Sequence, residues 1–224
     1  MTLTIILAEC GLELIPRSIR RYPAVRRTLS TKNYSSQLLD NALHHSAMNS
    51  LKNKMKRGRP DILHLCLLNA LGSPLNKSGK LNLFFHTNND RIFKVNPNIR
   101  IAKNFNRFKG LMAKLLIDNK IEIDEIPLIN PVNKNLNELI SEYKNPKTLV
   151  LSRKGKLIRS YKDLFKFDPS INYILIIGAF QKSTFSKRIL NISDNLISVS
   201  KNSLHSWIVV NKAITYYEII NNIL

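Results

Sequence analysis

The chain has 224 residues, with 35 Lys and Arg against 15 Asp and Glu, a formal net charge of +20 and an isoelectric point near 10.1. A hydrophobic content of 44% is sufficient for a folded core, which excludes a wholly disordered chain. No apolar run reaches the ~20 residues of a membrane-spanning helix, and two cysteines, Cys10 and Cys66, are too few for a disulfide framework or a cysteine-based zinc site. Met1–Leu7 lacks a basic n-region, so we expect no secretory signal. We also expect no membrane partner and a cytoplasmic location.

The excess of positive charge is typical of a protein that binds nucleic acid, although a solubilising surface and contact with an anionic membrane are alternatives. Of the 35 basic residues, 19 lie in residues 1–112, together with 5 of the 15 acidic residues. The excess is therefore concentrated in the first half of the chain. We predict that this half carries most of the nucleic-acid contacts.

The first half is predicted to alternate strands and helices. A β-branched apolar run favours a buried strand at Thr2–Ala8, and the prolines among the arginines of Arg17–Arg27 favour a basic loop or arm. Helix Ile62–Leu71 is expected to take Asp61 as its N-cap, with Arg59 extended before the proline. Spacing and turn signals predict the remaining elements: helices Leu38–Leu51 and Asn104–Ile117, and strands Leu81–His86 and Arg91–Val95 joined by Asn88–Asp90.

The second half continues this alternation. We expect a helix at Asn135–Tyr143, strands at Thr148–Ser152, Asn172–Ile177 and Asn195–Ser200, a turn at Gly155, and a helix over Leu204–Leu224. Strands that alternate with helices indicate an α/β fold with a largely parallel sheet. Since no domain boundary is evident, residues 1–224 are expected to form one domain.

A basic stretch without acidic residues spans residues 91–109. Arg100, Lys103 and Arg107 are three and four residues apart, which places their side chains on one face if the segment is helical. Three cations along one face would match successive phosphates, whereas a solvated amphipathic helix is the alternative. We favour contact with an RNA or DNA backbone, because no nearby acidic residue compensates these charges.

Two further positions are candidates for a functional site. Arg59 and Asp61 flank a proline, and the carboxylate either holds the guanidinium by charge-assisted hydrogen bonds or acts as an ordinary helix cap. Gly178 follows a buried strand, where open α/β sheets bind ligands, although a plain turn is the commoner reason for a glycine. No metal site is expected, because adjacent residues such as His44 and His45 do not share a helix face.

Several separated segments closely resemble one family of RNA-modifying enzymes. They are Arg57–His64, Ser73–Gly79, Val95–Arg100, Asn104–Met112 and Ile177–Phe180. In this order they resemble the nucleolar-essential-protein family of ribosome-biogenesis methyltransferases, which belongs to the SPOUT superfamily. The chain looks like the archaeal type, since no long extension precedes the first strand. Members methylate ring nitrogen 1 of a pseudouridine in small-subunit ribosomal RNA.

The resemblance implies a SPOUT-type α/β fold with helices on both faces of a mostly parallel sheet, a C-terminal trefoil knot and a homodimer. It implies that residues 1–112 hold most of the RNA-binding part, and that the knot and cofactor loops lie within about residues 148–224. S-adenosylmethionine is the implied cofactor, and small-subunit ribosomal RNA and other assembly factors are the implied partners. The residues implied to bind the cofactor are Gly178, Ser183, Val199, Ser200, Lys201, Asn202, Ser203 and Leu204.

The resemblance also implies roles for individual charged residues. Those implied to contact RNA are Arg59, Arg100, Lys103 and Arg107. Asp61 looks like the carboxylate that holds Arg59 in place, and we expect it to orient this guanidinium rather than act as a general base. The chain departs from the family pattern at Ala102-Lys103, Gln181–Ser183 and Asn202-Ser203.

The expected activity is therefore S-adenosylmethionine-dependent methylation of a pseudouridine that is flipped out of its RNA loop. Two alternatives stay open on the sequence. One is an RNA-binding ribosome-assembly factor whose catalysis is weak or lost. The other is a different RNA methyltransferase of the SPOUT type.

Overall fold

A mixed eight-stranded sheet organises residues 2–223, which are the residues that the computed structural model describes. The strands are β1 Leu3–Cys10, β2 Leu81–Thr87, β3 Ile92–Val95, β4 Ile121–Ile123, β5 Ile126–Val132, β6 Pro146–Leu157, β7 Asn172–Gly178 and β8 Leu196–Ser198. Their order across the sheet is β4-β5-β3-β2-β1-β7-β6-β8. The pairs β2–β1, β1–β7, β7–β6 and β6–β8 are parallel. The pairs β2–β3, β3–β5 and β5–β4 are antiparallel and form one edge of the sheet. The predicted α/β class is confirmed.

Helices connect these strands and cover the sheet. They are α1 Pro23–Arg26, α2 Asn41–Met48, α3 Pro60–Gly72, α4 Pro74–Lys77, α5 Phe105–Asp118, α6 Leu136–Ser141, α7 Tyr161–Leu164, α8 Lys187–Leu190 and α9 Ser206–Ile220. Polar side chains fix several helix starts: the Asn104 side chain accepts the Arg107 amide, and Asn135 and Glu138 form a capping box. The longer predicted helices are confirmed with shifted bounds: α2, α6 and α9 are shorter than predicted, α3 is longer, and α5 is displaced by one residue. The ends of the predicted ranges at Met1 and Leu224 lie outside the described residues.

The two faces of the sheet bury two hydrophobic layers. Successive residues of a strand point to opposite faces, so Ile5 and Leu7 of β1 join the larger layer, which contains α3, α5 and α9. Ile6 and Ala8 face the smaller layer, which includes residues of α6 and α8. Both helical layers close over the sheet, as expected. No helix within residues 2–223 is long and apolar enough to cross a membrane.

The start of α3 differs from the sequence prediction. The helix begins at Pro60, a residue suited to the first turn because its missing N–H leaves no bond unmade. Arg59 precedes it with φ −125° and ψ 61°, so its backbone is not fully extended. Asp61 lies inside the first turn and does not cap the helix, because its carboxylate binds the Arg59 guanidinium instead.

Two predictions about the edges of the sheet were wrong or incomplete. Gly155 does not end β6 but lies in a bulge of this strand between Leu151 and Lys156, which both pair with Ile197 of β8; a Cβ atom there would collide with the Ile197 nitrogen. The glycine thus permits the backbones of two strands to approach. The β4–β5 hairpin was not predicted, because its turn uses Asp124 and Glu125 at φ +50° and +63° rather than the usual glycine.

The basic segment Arg17–Arg27 is an ordered part of the domain rather than a free arm. It contains a 3-10 turn at Arg17–Ile19 and the short helix α1. Ile19 and Val25 are fully buried in a small apolar cluster that includes residues of α2. The segment forms no long helix, as predicted. Its packing against α2, which was not predicted, fixes the position of the arginines.

Candidate active site

A cavity of about 330 Å³ lies at the carboxyl ends of β7 and β8, beside residues 151–154 of β6. We call it the sheet-end cavity. Two loops supply most of its wall, namely residues 178–185 after β7 and residues 198–204 after β8. The end of a parallel sheet is where α/β proteins place ligands, since loops from neighbouring strands converge there.

The sheet-end cavity brings together seven of the eight residues that the family resemblance assigned to the cofactor. They are Gly178, Ser183, Val199, Ser200, Asn202, Ser203 and Leu204. Lys201 is exposed and is not among the lining residues. Residues separated by more than twenty positions in the chain therefore face one space. Their binding role remains a prediction.

Gly178 lies close to two aromatic rings that line the cavity. A Cβ atom at this residue would lie 2.7 Å from the Phe180 ring and 3.2 Å from the Phe185 ring. The two rings pack edge to face with centroids 5.5 Å apart. A side chain at this position would therefore displace the ends of these rings beside the end of β7.

Hydrogen bonds within the two loops fix the cavity wall. The Ser206 hydroxyl at the start of α9 donates to the Gly178 carbonyl at 2.6 Å. The Ser198 hydroxyl donates to the Ser200 carbonyl at 2.8 Å, and the Ser200 hydroxyl accepts the Asn202 amide at 3.1 Å. The first of these bonds ties the loop after β7 to the helix that follows the other loop.

Arg59 and Asp61 form a two-point ion pair at the start of α3. Nε of Arg59 donates to Oδ1 of Asp61 at 2.8 Å, and its second nitrogen donates to Oδ2 at 2.6 Å. The hydrogen bond and charge of Asp61 raise the pKa of the Arg59 guanidinium, while partial burial opposes the shift. The sequence left two roles open for Asp61, namely holding the Arg59 guanidinium and capping the helix, and this geometry is the first of them. It fixes the orientation of the guanidinium fork.

Two more carboxylates hold the loop before Arg59. Lys56 lies 2.6 Å from Oε2 of Glu9, and Arg57 makes a two-point contact with Glu13 at 2.7 and 2.5 Å. Both acids are almost fully buried, Glu9 at the carboxyl end of β1 and Glu13 in the loop that follows. Because Lys56 and Arg57 are already neutralised, the basic break around residues 52–59 offers fewer available charges than its sequence indicates.

The backbone after β1 contacts both the Arg59 segment and the sheet-end cavity. The Gly11 carbonyl accepts the Arg59 amide at 2.9 Å, and the Gly11 amide donates to the Ala179 carbonyl at 3.3 Å. A Cβ atom at Gly11 would lie 2.9 Å from the Lys56 carbonyl oxygen, so only glycine allows this approach. The structure therefore links the backbone of Arg59 to the loop that follows β7 through Gly11.

The condition on which Arg100, Lys103 and Arg107 would share one helix face is not met, and their contact with RNA stays a prediction. Because Asn104 caps α5, Arg100 and Lys103 precede the helix, and Arg107 alone lies in its first turn. All three side chains are exposed, so they remain available to a ligand. The first two therefore lie on the loop before α5 and the third on the helix itself.

His64 holds this loop against α3. Its Nε2 lies 2.7 Å from the Ala102 carbonyl oxygen, and its ring stacks on Phe108 at a centroid distance of 4.3 Å. His64 thus links the helix that carries Asp61 to the segment between Arg100 and Lys103. Sequence reasoning missed this contact, since its partner is 38 residues away.

One cation of the 91–109 stretch is not available. Lys109 is buried, and its ammonium lies 3.0 Å from Oδ2 of the buried Asp40. The acid that compensates Lys109 comes from 69 residues earlier in the chain. Because this acid lies outside the stretch, the sequence of residues 91–109 alone overstates the positive charge of the stretch in the folded protein.

Other ionisable groups offer no nucleophile or metal centre in residues 2–223. Burial raises the pKa of both the Cys10 and Cys66 thiols, which keeps them protonated. Within the same residues, no group of three or more His, Cys, Asp or Glu side chains could hold a metal ion.

The chain is similar to known proteins along almost its whole length. A family model described as EMG1/NEP1 methyltransferase matches residues 5–218. The ribosomal RNA small subunit methyltransferase Nep1 of Staphylothermus marinus is 38% identical over 225 aligned positions, which cover 99% of this chain and 97% of the relative. The protein of the same name from Saccharolobus solfataricus is 41% identical over 203 positions, 89% of each chain.

A solved structure has the same fold. The crystal structure of Archaeoglobus fulgidus Nep1 bound to S-adenosylhomocysteine matches with a TM-score of 0.84 and 32% sequence identity. The match covers 99% of this chain and 100% of that chain. The similarity therefore includes both the basic segments and the sheet-end cavity.

Proposed function

Because the chain belongs to the EMG1/NEP1 methyltransferase family, we propose that it transfers a methyl group from S-adenosylmethionine to ring nitrogen 1 of a pseudouridine in small-subunit ribosomal RNA. The observation that carries this proposal is the sheet-end cavity, in which loops from β7 and β8 face the same space, together with the link through Gly11 from the loop after β7 to the backbone of Arg59. Relatives that bear the name of a small-subunit ribosomal RNA methyltransferase support the RNA substrate.

The residues of the sheet-end cavity fit S-adenosylmethionine. Apolar side chains such as Leu151, Ile177 and Phe180 offer a surface for an aromatic base, while several serine hydroxyls offer hydrogen bonds to polar groups. The proposed cofactor-binding residues are Gly178, Ser183, Val199, Ser200, Lys201, Asn202, Ser203 and Leu204. When bound, S-adenosylmethionine supplies an electrophilic methyl group on its sulfonium.

Arg59 and Asp61 are proposed to position the RNA. Both carboxylate oxygens of Asp61 accept hydrogen bonds from Arg59, so this acid is engaged in orienting a guanidinium rather than in removing a proton. The oriented Arg59 then presents its remaining N–H groups to the RNA near the target nucleotide. Positioning of this kind lowers the barrier by holding the reacting atoms in line, an effect of roughly 7–11 kcal/mol at its best.

Phosphate contacts are assigned to four cations, Arg59, Arg100, Lys103 and Arg107. Two observations support this assignment. Arg100, Lys103 and Arg107 are exposed, and His64 holds the loop before α5 in place. Such contacts give affinity without reading sequence. The packed Arg17–Arg27 segment adds charge to the basic part, which the proposal assigns mainly to residues 1–112.

The proposal extends to a homodimer. Leu65 on α3 and Ile208 and Ile219 on α9 are large apolar side chains with 36–49% of their surface exposed. A groove of about 330 Å³ runs between the same two helices. Apolar exposure on paired helices supports an isologous contact between two copies, and light scattering of the purified protein tests it.

A trefoil knot and a single domain are also part of the proposal. After β8 the chain returns to contact the end of β7 through Ser206 and Gly178 before α9 packs on α3, a path that supports a knot within about residues 148–224. Cytoplasmic location and contact with other small-subunit assembly factors belong to the same proposal.

A methyl-transfer assay tests the proposed activity directly. The protein is incubated with S-adenosylmethionine labelled in its methyl group and an RNA stem-loop that contains pseudouridine; the same stem-loop with uridine is the control. We expect label in the first RNA only, because ring nitrogen 1 of uridine is occupied by the glycosidic bond. RNA binding without methyl transfer or cofactor binding would instead support an RNA-binding assembly factor, and label in the uridine RNA would support a different RNA methyltransferase.

A further inference from the structure

Three cations line the sheet-end cavity. Arg153 and Lys154 come from β6, and Lys182 comes from the loop after β7. All three side chains are exposed, and no Asp or Glu is among the residues that line the cavity. We call these three residues the cationic rim. The opening of the cavity therefore carries positive charge without a local counter-charge.

The cationic rim differs from the basic residues around Arg59 in its partners. Lys56, Arg57, Arg59 and Lys109 each have a carboxylate within 3.0 Å. Among residues 2–223, no ion pair involves Arg153, Lys154 or Lys182. An unpaired cation at a cavity is the kind of group that a bound anion stabilises.

The rim continues toward the basic loop before α3. The Lys182 amide donates to the Met55 carbonyl at 3.4 Å, which brings the loop after β7 against the turn between Lys54 and Lys56. In addition, the Lys56 ammonium lies 5.0 Å from the centroid of the Phe180 ring, which lines the same cavity. The charge of Lys56 is balanced by Glu9, so the exposed Lys54 is the cation that this turn adds beside the rim.

We propose that Arg153, Lys154 and Lys182 form a phosphate-binding rim that receives the RNA phosphates flanking the target nucleotide; this inference depends on the proposed function. A nucleotide that enters the cavity brings its own phosphates to the opening. Carboxylates there would repel them, whereas unpaired cations attract them. The rim therefore adds RNA contacts in the second half of the chain, apart from Arg59 and the Arg100–Arg107 segment.

The alternative ligand for these cations is the carboxylate of the amino-acid part of S-adenosylmethionine. That group supplies one negative charge, while the rim supplies three positive charges. S-adenosylmethionine also carries a sulfonium and an ammonium, so its net charge is positive and an unneutralised rim opposes its binding. RNA phosphates would remove this repulsion. Bound RNA should consequently raise the affinity for S-adenosylmethionine more than the affinity for S-adenosylhomocysteine, which lacks the sulfonium charge.

The test replaces the rim by Arg153→Gln, Lys154→Gln and Lys182→Gln together. The control removes the same charge at Lys77→Gln, Lys80→Gln and Lys144→Gln, exposed residues near the amino ends of β2 and β6. Binding of the uridine stem-loop is measured at several salt concentrations; this RNA leaves the cofactor unreacted. Calorimetry then gives the affinity of the full-length proteins for S-adenosylmethionine and S-adenosylhomocysteine, with and without the RNA.

We expect the rim variant to lower the slope of log K against log salt by about 0.7 for each lost phosphate contact, up to about 2 in total. Its S-adenosylhomocysteine affinity should stay within twofold, and RNA should no longer favour S-adenosylmethionine. The control should keep the parent slope and the parent preference. A combined charge-retaining variant with Arg153→Lys, Lys154→Arg and Lys182→Arg should restore both.

Three outcomes would overturn the inference. A rim variant that keeps the parent slope would mean that the rim meets no phosphate. A large loss of S-adenosylhomocysteine affinity without RNA, at an unchanged slope, would assign the rim to the cofactor carboxylate. A parent slope that both triplets lower equally would indicate non-specific charge. Failure of the parent to methylate the pseudouridine stem-loop would instead overturn the proposed function, while the salt slopes still decide whether the rim binds RNA.

Discussion

Lys56 lies 2.6 Å from Oε2 of Glu9, and this ion pair joins the basic loop before α3 to the carboxyl end of β1. The carboxylate of Glu9 also accepts the Ser186 amide at 3.2 Å, where the loop after β7 enters α8. Glu9 itself has a left-handed backbone with φ +53°, which is uncommon for a residue other than glycine. One buried acid therefore holds the basic loop and the cavity loop together.

Glu9→Gln should weaken both loops at once. The amide keeps the size of the side chain but leaves Lys56 without a counter-charge, so we expect the free energy of unfolding to fall by about 2 kcal/mol and the S-adenosylhomocysteine affinity to fall several-fold. Chemical denaturation and calorimetry measure these changes. Glu122→Gln is the matched control, because its ion pair with Lys120 is exposed and should contribute less than about 1 kcal/mol. Equal effects of the two substitutions would refute the joining role of Glu9.

Arg59→Lys should reduce methyl transfer while retaining the charge. Lysine cannot make the two parallel hydrogen bonds that Arg59 gives to the Asp61 carboxylate, so the cation loses its fixed orientation. We expect kcat/KM to fall by about tenfold or more at an unchanged salt slope of RNA binding. Arg26→Lys, at an exposed arginine of α1, is the control and should retain activity. Full activity of Arg59→Lys would show that charge alone suffices.

Gly178→Ala should impair cofactor binding. The added methyl group would lie 2.7 Å from the Phe180 ring and would displace a wall of the sheet-end cavity. We expect S-adenosylhomocysteine affinity to fall by about tenfold or more, an effect equivalent to at least about 1.4 kcal/mol. Gly72→Ala is the control, since nothing lies within 4 Å of its added atom. Unchanged affinity in Gly178→Ala would remove this wall from the proposed cofactor site.

Stability should decline as the pH falls below about 6.5, the ordinary pKa of histidine. Burial lowers the pKa of His44 and of His86, although nearby Asp40 and Asp90 oppose the shifts. In the pH range between the lowered value and the ordinary one, the unfolded chain binds protons that the folded chain does not. The free energy of unfolding therefore decreases as the pH is lowered through that range, and it levels off below the folded-state pKa.

Denaturant titrations from pH 8 to pH 5 measure this dependence. His44→Gln and His86→Gln should each flatten the pH curve, whereas His45→Gln, at an exposed neighbouring position, should leave it unchanged. A parent protein that keeps constant stability through this range would contradict the burial argument for both histidines.

Local patterns predicted the central fold because the sheet is built from short apolar runs. The uninterrupted run Tyr173–Ile177 forms the middle of β7, and all of these side chains are buried. The β4–β5 hairpin lacked such a signal, since residues of β4 and β5 such as Ile123 and Ile126 are exposed and the turn has no glycine. Periodicity identifies elements that bury a face, and this hairpin buries little.

The candidate site was less accessible to sequence reasoning, because its contacts join distant residues. The pairing of Arg59 with Asp61 could be anticipated, as the two are two residues apart. Glu9 and Lys56 are 47 positions apart, and nothing in either neighbourhood identifies the other. The cationic rim was hidden for the opposite reason: Arg153, Lys154 and Lys182 belong to the less basic half of the chain and become a cluster only through the fold.

The central claim is tested most directly by measuring methyl transfer to a pseudouridine stem-loop and to its uridine counterpart, with the labelled position in the RNA identified by mass spectrometry. The account predicts one methyl group on ring nitrogen 1 of the pseudouridine and none on the uridine RNA. Absence of methylated pseudouridine, in a preparation that binds both the RNA and S-adenosylmethionine, would contradict it.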